Sequence, residues 1–300
     1  MIIVAGENVV DLLPAGDGLL RPALGGGPAN VAVAAARLGA PVAMAARLGR
    51  DAFGTAFRRR LEASGVDTRY LVRTTEPSAL ALATLTDDGE AGYDFWLAGA
   101  ADFGWRGSEL PDPRPGDILH VGSLAAFLPP GADVLAGWVQ RHRPRCTITF
   151  DPNLRAVALS APGARERLER LVRLAHVVRA SDQDLRLAYP EAEPLATARR
   201  WLADADPDGG PRLVVLTHAA AGATALTPAT EVSATPPPVT VVDTIGAGDA
   251  AMGALLAALH ADQARDLADM LRFVCAAGAL ACTRPGADPP GLAEVLAACR

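Results

Sequence analysis

Lysine is absent from the 300 residues, so all 28 basic side chains counted as Lys or Arg are arginines. That excludes a Walker-type phosphate loop, which needs its lysine, and a Schiff base on a lysine amine. Cysteine is scarce. Cys146, Cys275, Cys282 and Cys299 show neither metal-ligand spacing nor a Cys-x-x-Cys pair, which points to a reducing compartment rather than a disulfide framework. Long apolar runs are missing too: Arg, Asp, Gly or Pro interrupts every stretch before it could span a bilayer. Met1-Ile2-Ile3-Val4 starts directly as a strand, without the basic segment and apolar run of a signal peptide, so a cytoplasmic protein is expected. Positive charge is outnumbered, 28 against 34, and the net −6 argues against nucleic acid or an anionic membrane as partner. What is present is a chain that is 50% hydrophobic and 21% charged, enough for a substantial core in one large α/β domain.

Strand-like and helix-like patterns alternate along most of it. Strands are predicted at Ile2 to Ala5, Val42 to Ala46, Ile118 to Val121, Thr147 to Phe150, Val177 to Arg179 and Leu213 to Thr217. Helices are predicted at Pro28 to Leu38, with proline near the first turn, at Ala52 to Ser64, ended by Gly65, and through most of Asp249 to Arg300. Such alternation implies a mainly parallel sheet with helices on both faces. One region breaks the rhythm. Residues 79–86 and Tyr93 to Leu97, joined through Asp87-Asp88-Gly89-Glu90, read as a β-hairpin that would form a small sheet with Val9 to Leu24. A water-excluding flap and an ordinary edge hairpin fit this pattern equally well.

The stretch Asp243-Thr244-Ile245-Gly246-Ala247-Gly248-Asp249 carries the most chemistry. Val239 to Val242 reads as a β-branched strand before it, and Ala250 to Leu256 as an apolar helix after it. A glycine turn into a helix leaves backbone N–H groups free at the positive end of the helix dipole, which is an anion site. A carboxylate at Asp249 would repel a bound phosphate. The conflict resolves if Asp249 is a base that takes a hydroxyl proton while the loop stabilises a transferring phosphoryl group. Gly25-Gly26-Gly27-Pro28-Ala29-Asn30 is a second glycine cluster opening a helix, and Asn30 sits where its amide would reach a hydroxyl; alone it reads as a Gly-rich turn. Gly246 to Ala251 also fits a dinucleotide fingerprint. Its place near the C-terminus, with no acidic residue after a second strand, counts against that reading.

The two clusters, in this order at opposite ends of the chain, resemble the signatures of the ribokinase (PfkB-type) family of sugar kinases, and the likeness runs nearly end to end. Gly6-Glu7 with Asp11, Leu48 to Asp51 with Phe53-Gly54, Ala101-Asp102 and Asp151-Pro152-Asn153-Leu154-Arg155 are similar to fructokinases. The resemblance implies one ribokinase-like domain over residues 1–300: a three-layer α/β sandwich around a mainly parallel sheet, with a small β-lid from about 9–24 and 79–100. It implies ATP, Mg²⁺ and a small-molecule sugar as ligands, a K⁺ site as an option, and a homodimer as an option. Asp249 would be the general base, with Gly246, Ala247 and Gly248 forming the anion hole and Arg155 meeting phosphate or sugar oxygens. Asp11, Gly26, Gly27 and Asn30 would hold sugar hydroxyls, each of which needs a donor and an acceptor. Ser181, Thr217, Ala219, Gly222 and Gly248 would lie at the nucleotide. Asp184 would act on Mg²⁺ through water, and Asp243 would stand at a monovalent cation.

Departures from the family pattern shape the expectation further. Ser181-Asp182-Gln183-Asp184 stands where Asn-x-x-Glu is frequent, and Asp182 could instead cap a helix. Thr217-His218-Ala219 replaces Thr-x-Gly, so a methyl would crowd the backbone if φ is positive there, and Ala251 stands where phenylalanine is common. Phe95-Trp96-Leu97 lacks the arginine that relatives acting on acidic sugars, and many fructokinases, place there; a carboxylate would lose a partner, so a neutral, fructose-like sugar is expected. His120, at the end of a predicted strand, reads either as a sugar-pocket residue or as a core histidine. The open alternatives are a non-catalytic sugar- or nucleotide-binding regulator on the same fold, or a kinase for 2-keto-3-deoxygluconate, ribose or a nucleoside.

Overall fold

A computed structural model describes residues 1–85, 91–205, 209–261 and 266–300. The strands are β1 Ile2–Ala5, β2 Val9–Pro14, β3 Leu20–Leu24, β4 Val42–Gly49, β5 Asp67–Thr74, β6 Ala79–Leu85, β7 Ala91–Trp96, β8 Ile118–Gly122, β9 Thr147–Asp151, β10 Val177–Ser181, β11 Leu213–Thr217, β12 Ala223–Leu226 and β13 Glu231–Ala234. The helices are α1 Gly27–Arg37, α2 Ala52–Ala63, α3 Gly131–His142, α4 Ala156–Leu159, α5 Ala164–Leu174, α6 Asp182–Ala188, α7 Pro194–Ala203, α8 Ala247–His260, α9 Leu267–Ala281 and α10 Leu292–Ala298.

One sheet of nine strands runs in the order β13-β12-β11-β10-β9-β8-β1-β4-β5. Every pairing from β11 to β5 is parallel, and β12 and β13 add an antiparallel edge. Its central strands are apolar at successive positions because both faces are covered. Ile2 and Val4 of β1 join one core with α1, α2, α8, α9 and α10, while Ile3 and Ala5 join the other with α3, α5, α6 and α7. The order reverses around β1, which has β4 on one side and β8 on the other. Ligands in open α/β sheets collect at the carboxyl ends of strands beside such a switch point.

Helices α1 and α8 pack closely because their contact is built from small side chains. A methyl on Gly253 would come within 2.5 Å of Ala34 Cβ and 2.8 Å of Ala35 N. This closeness brings the N-termini of α1 and α8 to one cleft.

A second sheet of order β3-β2-β6-β7 stands apart from the large one. Its Val10 packs with Leu48 of β4 and Phe57 of α2. The chain crosses between the two sheets at four places, and these crossings are stitched to one another. Gly25 N donates to Val9 O and Ala101 N to Pro77 O. Buried Asp102 accepts from Asn8 N at 2.8 Å and Ala79 N at 3.3 Å, and Asp51 accepts from Ser78 N at 2.8 Å while capping α2 through Gly54 N.

Two expectations need correction. Val239 to Val242 is not a strand; the last strand before the glycine turn is β13, and Pro236-Pro237-Pro238 follows it with no N–H to donate to a ladder. Val241 and Val242 are exposed, and Val242 N and Asp243 N both donate to Cys282 O. The cap of α6 is Ser181 rather than Asp182, whose carboxylate instead meets His218. The turn Asp87-Asp88-Gly89-Glu90 lies outside the described residues. Among the described residues, no helix is long and apolar enough to cross a membrane.

Candidate active site

The glycine turn places Asp249 in the first turn of α8, after Gly246 in the left-handed region at φ 79°. Glycine is the residue that adopts this conformation without a Cβ penalty. Ala247 N donates to Thr244 O at 3.3 Å, and the N–H groups of Gly248 and Asp249 that follow have no intrahelical carbonyl to bind. Asp249 lies between two amides. Asn30 Nδ2 donates to its Oδ2 at 2.8 Å, and Asn153 Nδ2 lies 3.5 Å from its Oδ1. Burial holds the Asp249 carboxyl above the usual carboxylate range, against the Asn30 hydrogen bond and the guanidiniums of Arg155, Arg179 and Arg60. The elevation moves it toward the range in which a carboxylate serves as a base near neutral pH.

Around it stand the residues expected at the sugar. Gly26 caps α1 at φ 93°, and a Cβ there would meet Glu7 O at 2.8 Å. On Gly27 a Cβ would fall 2.5 Å from Asn153 Nδ2, so the backbone passes directly under that amide. Asp11 reaches over from β2 because Gly25 lacks a side chain; a Cβ there would sit 2.2 Å from Asp11 Oδ2. Burial pushes the Asp11 carboxyl up to about 6, with Arg155 and Arg60 opposing and Asp249 adding to the rise. Arg155 is exposed and binds Asn153 Oδ1 at 3.0 Å and Leu154 O at 2.9 Å, at the rim of the cleft.

His120 is fully buried on the cleft floor, its Nδ1 3.1 Å from Thr149 Oγ1, and burial drives its pKa down to about 3. Burial thus favours its neutral form on the cleft wall. The cleft floor is completed by Gly122, Ser123 and Asp151. A separate groove of about 420 Å³ between α7 and the β12–β13 turn is lined by the exposed Arg199–Glu231 pair, Thr227 and Thr230 and lies away from these groups.

On the other side of the α8 turn lie the residues expected at the nucleotide. Ser181 and Asp184 form a capping box, with Ser181 N donating to Asp184 Oδ2 at 2.8 Å. Asp184 Oδ1 accepts from Leu154 N at 2.7 Å, so this buried carboxylate already braces the Asn153–Arg155 loop. Ala219 adopts φ 49°, so the methyl does sit on a left-handed backbone, and Gly222 at φ 101° lies where a Cβ would strike Ala234 O. His218 bridges Asp182 Oδ1 at 2.9 Å and Thr224 Oγ1 at 3.0 Å. Asp243 accepts from Ile245 N at 3.0 Å and Gly286 N at 2.7 Å, closing the turn that leads into α8. Among the described residues, no group of three or more His, Cys, Asp or Glu could hold a metal ion.

Sequence reasoning missed two groups that the fold brings here. Arg179 on β10 is buried beneath Gly248, where a Cβ would meet its Nη2 at 3.0 Å. It binds Asp151 Oδ2 at 2.9 Å and Thr217 Oγ1 at 2.8 Å, and its charge lies under the helix N-terminus. Burial alone would lower its pKa, but Asp151, Asp184 and Asp249 hold it above the usual value. The signal was a lone arginine inside a strand predicted to be covered on both faces. Asn153, at φ 37°, is the second; the left-handed region favours Asn among side-chain residues, and Asp151 holds its backbone N–H at 3.1 Å.

Comparison with known proteins bears on this arrangement. Residues 20–293 match the pfkB family carbohydrate kinase. The chain is 34% identical over 294 residues to a fructokinase of Klebsiella pneumoniae, covering 95% of this chain and 94% of that one. A fructokinase of Vibrio cholerae O395, solved with fructose, ADP and calcium, superposes with a TM-score of 0.88 at 31% identity, covering 100% of this chain and 98% of that one. The Salmonella enterica aminoimidazole riboside kinase, solved with its riboside and an ATP analogue, superposes with a TM-score of 0.88 at 27% identity, covering 100% and 99%.

Proposed function

The chain belongs to the pfkB family and is a carbohydrate kinase; on that footing we propose that it transfers the γ-phosphoryl group of ATP to a hydroxymethyl group of a neutral sugar, fructose before others. The observation that carries this reading is the Asp249 carboxylate, hydrogen-bonded to Asn30 in the first turn of α8 above buried Arg179. Asp249 takes the hydroxyl proton as the sugar oxygen bonds to γ-phosphorus. The bond from phosphorus to the β–γ bridging oxygen breaks, and ADP leaves with that electron pair. Charge on the transferring group is met by the N–H groups of Gly246 and Gly248, by that of Ala247 as it exchanges its 3.3 Å bond to Thr244 O, and by Arg179. Asp11, Asn30 and the Gly26–Gly27 backbone orient the sugar, and Arg155 meets oxyanions at the rim. Ser181, Thr217, Ala219 and Gly222 border the nucleotide.

Both Asp184 oxygens already accept backbone N–H groups, which suits an ion that arrives on the nucleotide and keeps its waters better than a resident protein cage. Mg²⁺ held in that way would neutralise phosphate charge, and Asp184 would contact it through water. Asp243 would hold the turn beside a monovalent cation; support comes from a Vibrio cholerae fructokinase double mutant solved with fructose, ADP and potassium. The small sheet acts as a lid that excludes water, and its exposed Leu20, Tyr93 and Trp96 would seat a second copy.

Leu97 is packed against the core and offers no cation to a sugar acid, which favours a neutral acceptor. The fit to the aminoimidazole riboside kinase supports a second reading, a nucleoside-like acceptor at the same base. ADP formation from Mg²⁺-ATP across hexoses, pentoses, sugar acids and nucleosides tests both. Fructose-dependent turnover is expected, with Asp249→Asn lowering it by roughly 10²- to 10⁴-fold. Faster turnover of 2-keto-3-deoxygluconate than of neutral sugars would overturn the substrate assignment.

A further inference from the structure

Arg60 projects from α2, outside both glycine clusters, and ends in the middle of the site. Its Nη1 donates to Leu24 O at 2.9 Å, just before the Gly25–Gly27 turn. Its Nη2 donates to Asn30 Oδ1 at 2.9 Å and to Ala287 O at 3.1 Å. Ala287 packs against Gly246, where a Cβ would fall 2.9 Å from its Cα. One guanidinium therefore ties the sugar-side turn, the Asn30 amide and the segment behind the anion hole.

The chemistry of these partners fixes the Asn30 amide. Guanidinium can only donate and an ionised carboxylate can only accept, so Oδ1 must face Arg60 and Nδ2 must face Asp249. A protonated Asp249 would prefer the reverse amide, whose oxygen accepts the carboxyl proton. With Arg60 in place that flip sets an NH₂ group against guanidinium N–H groups. The arrangement thus disfavours the acid form of Asp249 and favours the base form.

We propose that Arg60 is a positioning residue that locks the Asn30 carboxamide and so keeps Asp249 ready to accept a proton. Its importance for turnover rests on the kinase reading above, but the lock itself does not. Asp249 also faces Arg155 from the α4 cap, Arg179 from β10, Glu7 after β1, Asp11 from β2 and Asp151 from β9, so the test must separate the amide from general charge.

The experiment follows the ¹³Cγ shift of Asp249 against pH, assigned with Asp249→Asn, in wild type, Arg60→Met, Asn30→Ala and the Arg60→Met/Asn30→Ala double variant. Arg60→Met should raise the midpoint by about one pH unit, within the range by which neighbouring groups move a carboxyl. In the Asn30→Ala background it should add less than about a third of that shift. An unmoved midpoint in folded Arg60→Met, or the full shift persisting without Asn30, overturns the proposal. Should Arg60→Met fail to fold, wild type alone decides. The Asn30 Nδ2 protons should keep their cross-peaks to the amides of the α8 first turn as Asp249 is protonated, and their transfer to the Arg60 guanidinium would overturn the lock. None of these readouts needs turnover, so an inactive protein with the expected shifts would overturn the kinase reading and leave the lock standing.

Discussion

Replacing Gly253 by alanine tests whether the α1–α8 contact sets the catalytic geometry. The added methyl would lie 2.5 Å from Ala34 Cβ, 2.8 Å from Ala35 N and 3.1 Å from Ala34 C. Carbon atoms rest about 3.5 to 4.0 Å apart, so α1 must retreat by about 1 Å. Two terms then compete. Alanine gains about 0.8 to 1.0 kcal/mol in helix propensity over glycine, and overpacking a close-packed core costs roughly 1–3 kcal/mol. The backbone atoms of Ala34 and Ala35 cannot turn aside as a flexible side chain would, so the cost should prevail, leaving a net loss of about 0–2 kcal/mol. In a domain of this size each kcal/mol lowers the melting temperature by about 2–4 °C. The functional effect should be larger. Asn30 and Asp249 ride on the two helices being separated, and a displacement of about 1 Å can cost roughly 10²-fold in rate. Thermal melts and kcat/KM for sugar are the assays. A higher melting temperature with unchanged kcat/KM would show that propensity prevails and that this contact does not position the base.

Ala219→Gly removes a methyl from a backbone at φ 49°. Left-handed strain of about 1–2 kcal/mol should outweigh the 0.4 to 1 kcal/mol, roughly, that glycine adds to the unfolded chain's entropy. A modest rise in melting temperature and a lower KM for ATP are expected, and a lower melting temperature would refute the strain. Glu7 and Asp102 are fully buried, and burial pushes each carboxyl up to about 7. Because these folded values lie above the unfolded ones, their contribution to stability is complete below about pH 4 and is lost as pH rises through 7. Urea midpoints should therefore fall from pH 5 to pH 8, and Glu7→Gln should flatten that slope; a wild-type midpoint that climbs over this interval would contradict it.

Much of this was legible because periodicity and turn chemistry are local. The strands at Ile2, Ile118, Thr147, Val177 and Leu213 and the helix starts at Gly27 and Ala247 stand close to where apolar runs and glycines put them. The strand read at Val239 failed because β-branched residues mark strands only where a neighbour can accept their ladder, and here the chain leaves the sheet after Ala234. Asp249, Asn30, Gly26 and Asp11 could be picked out from motifs. Arg179 and Arg60 could not be placed, since an arginine in a strand or on a helix has a role only once the fold shows what its guanidinium reaches. Asp184 is singled out by its place in the motif, but that its Oδ1 also braces the Asn153–Arg155 loop through Leu154 N is visible only in the fold.

The stitched crossings between the two sheets carry a mechanical consequence. Gly25, Asn8, Ala79 and Ala101 tie the four chain passages to one another, and Ser78 ties one of them to Asp51 at the start of α2. A plate held by four cross-linked passages tilts less freely than one hung on a single strand. Any tilt of the small sheet must therefore carry all four passages together, and Asp11 on β2 moves only with them.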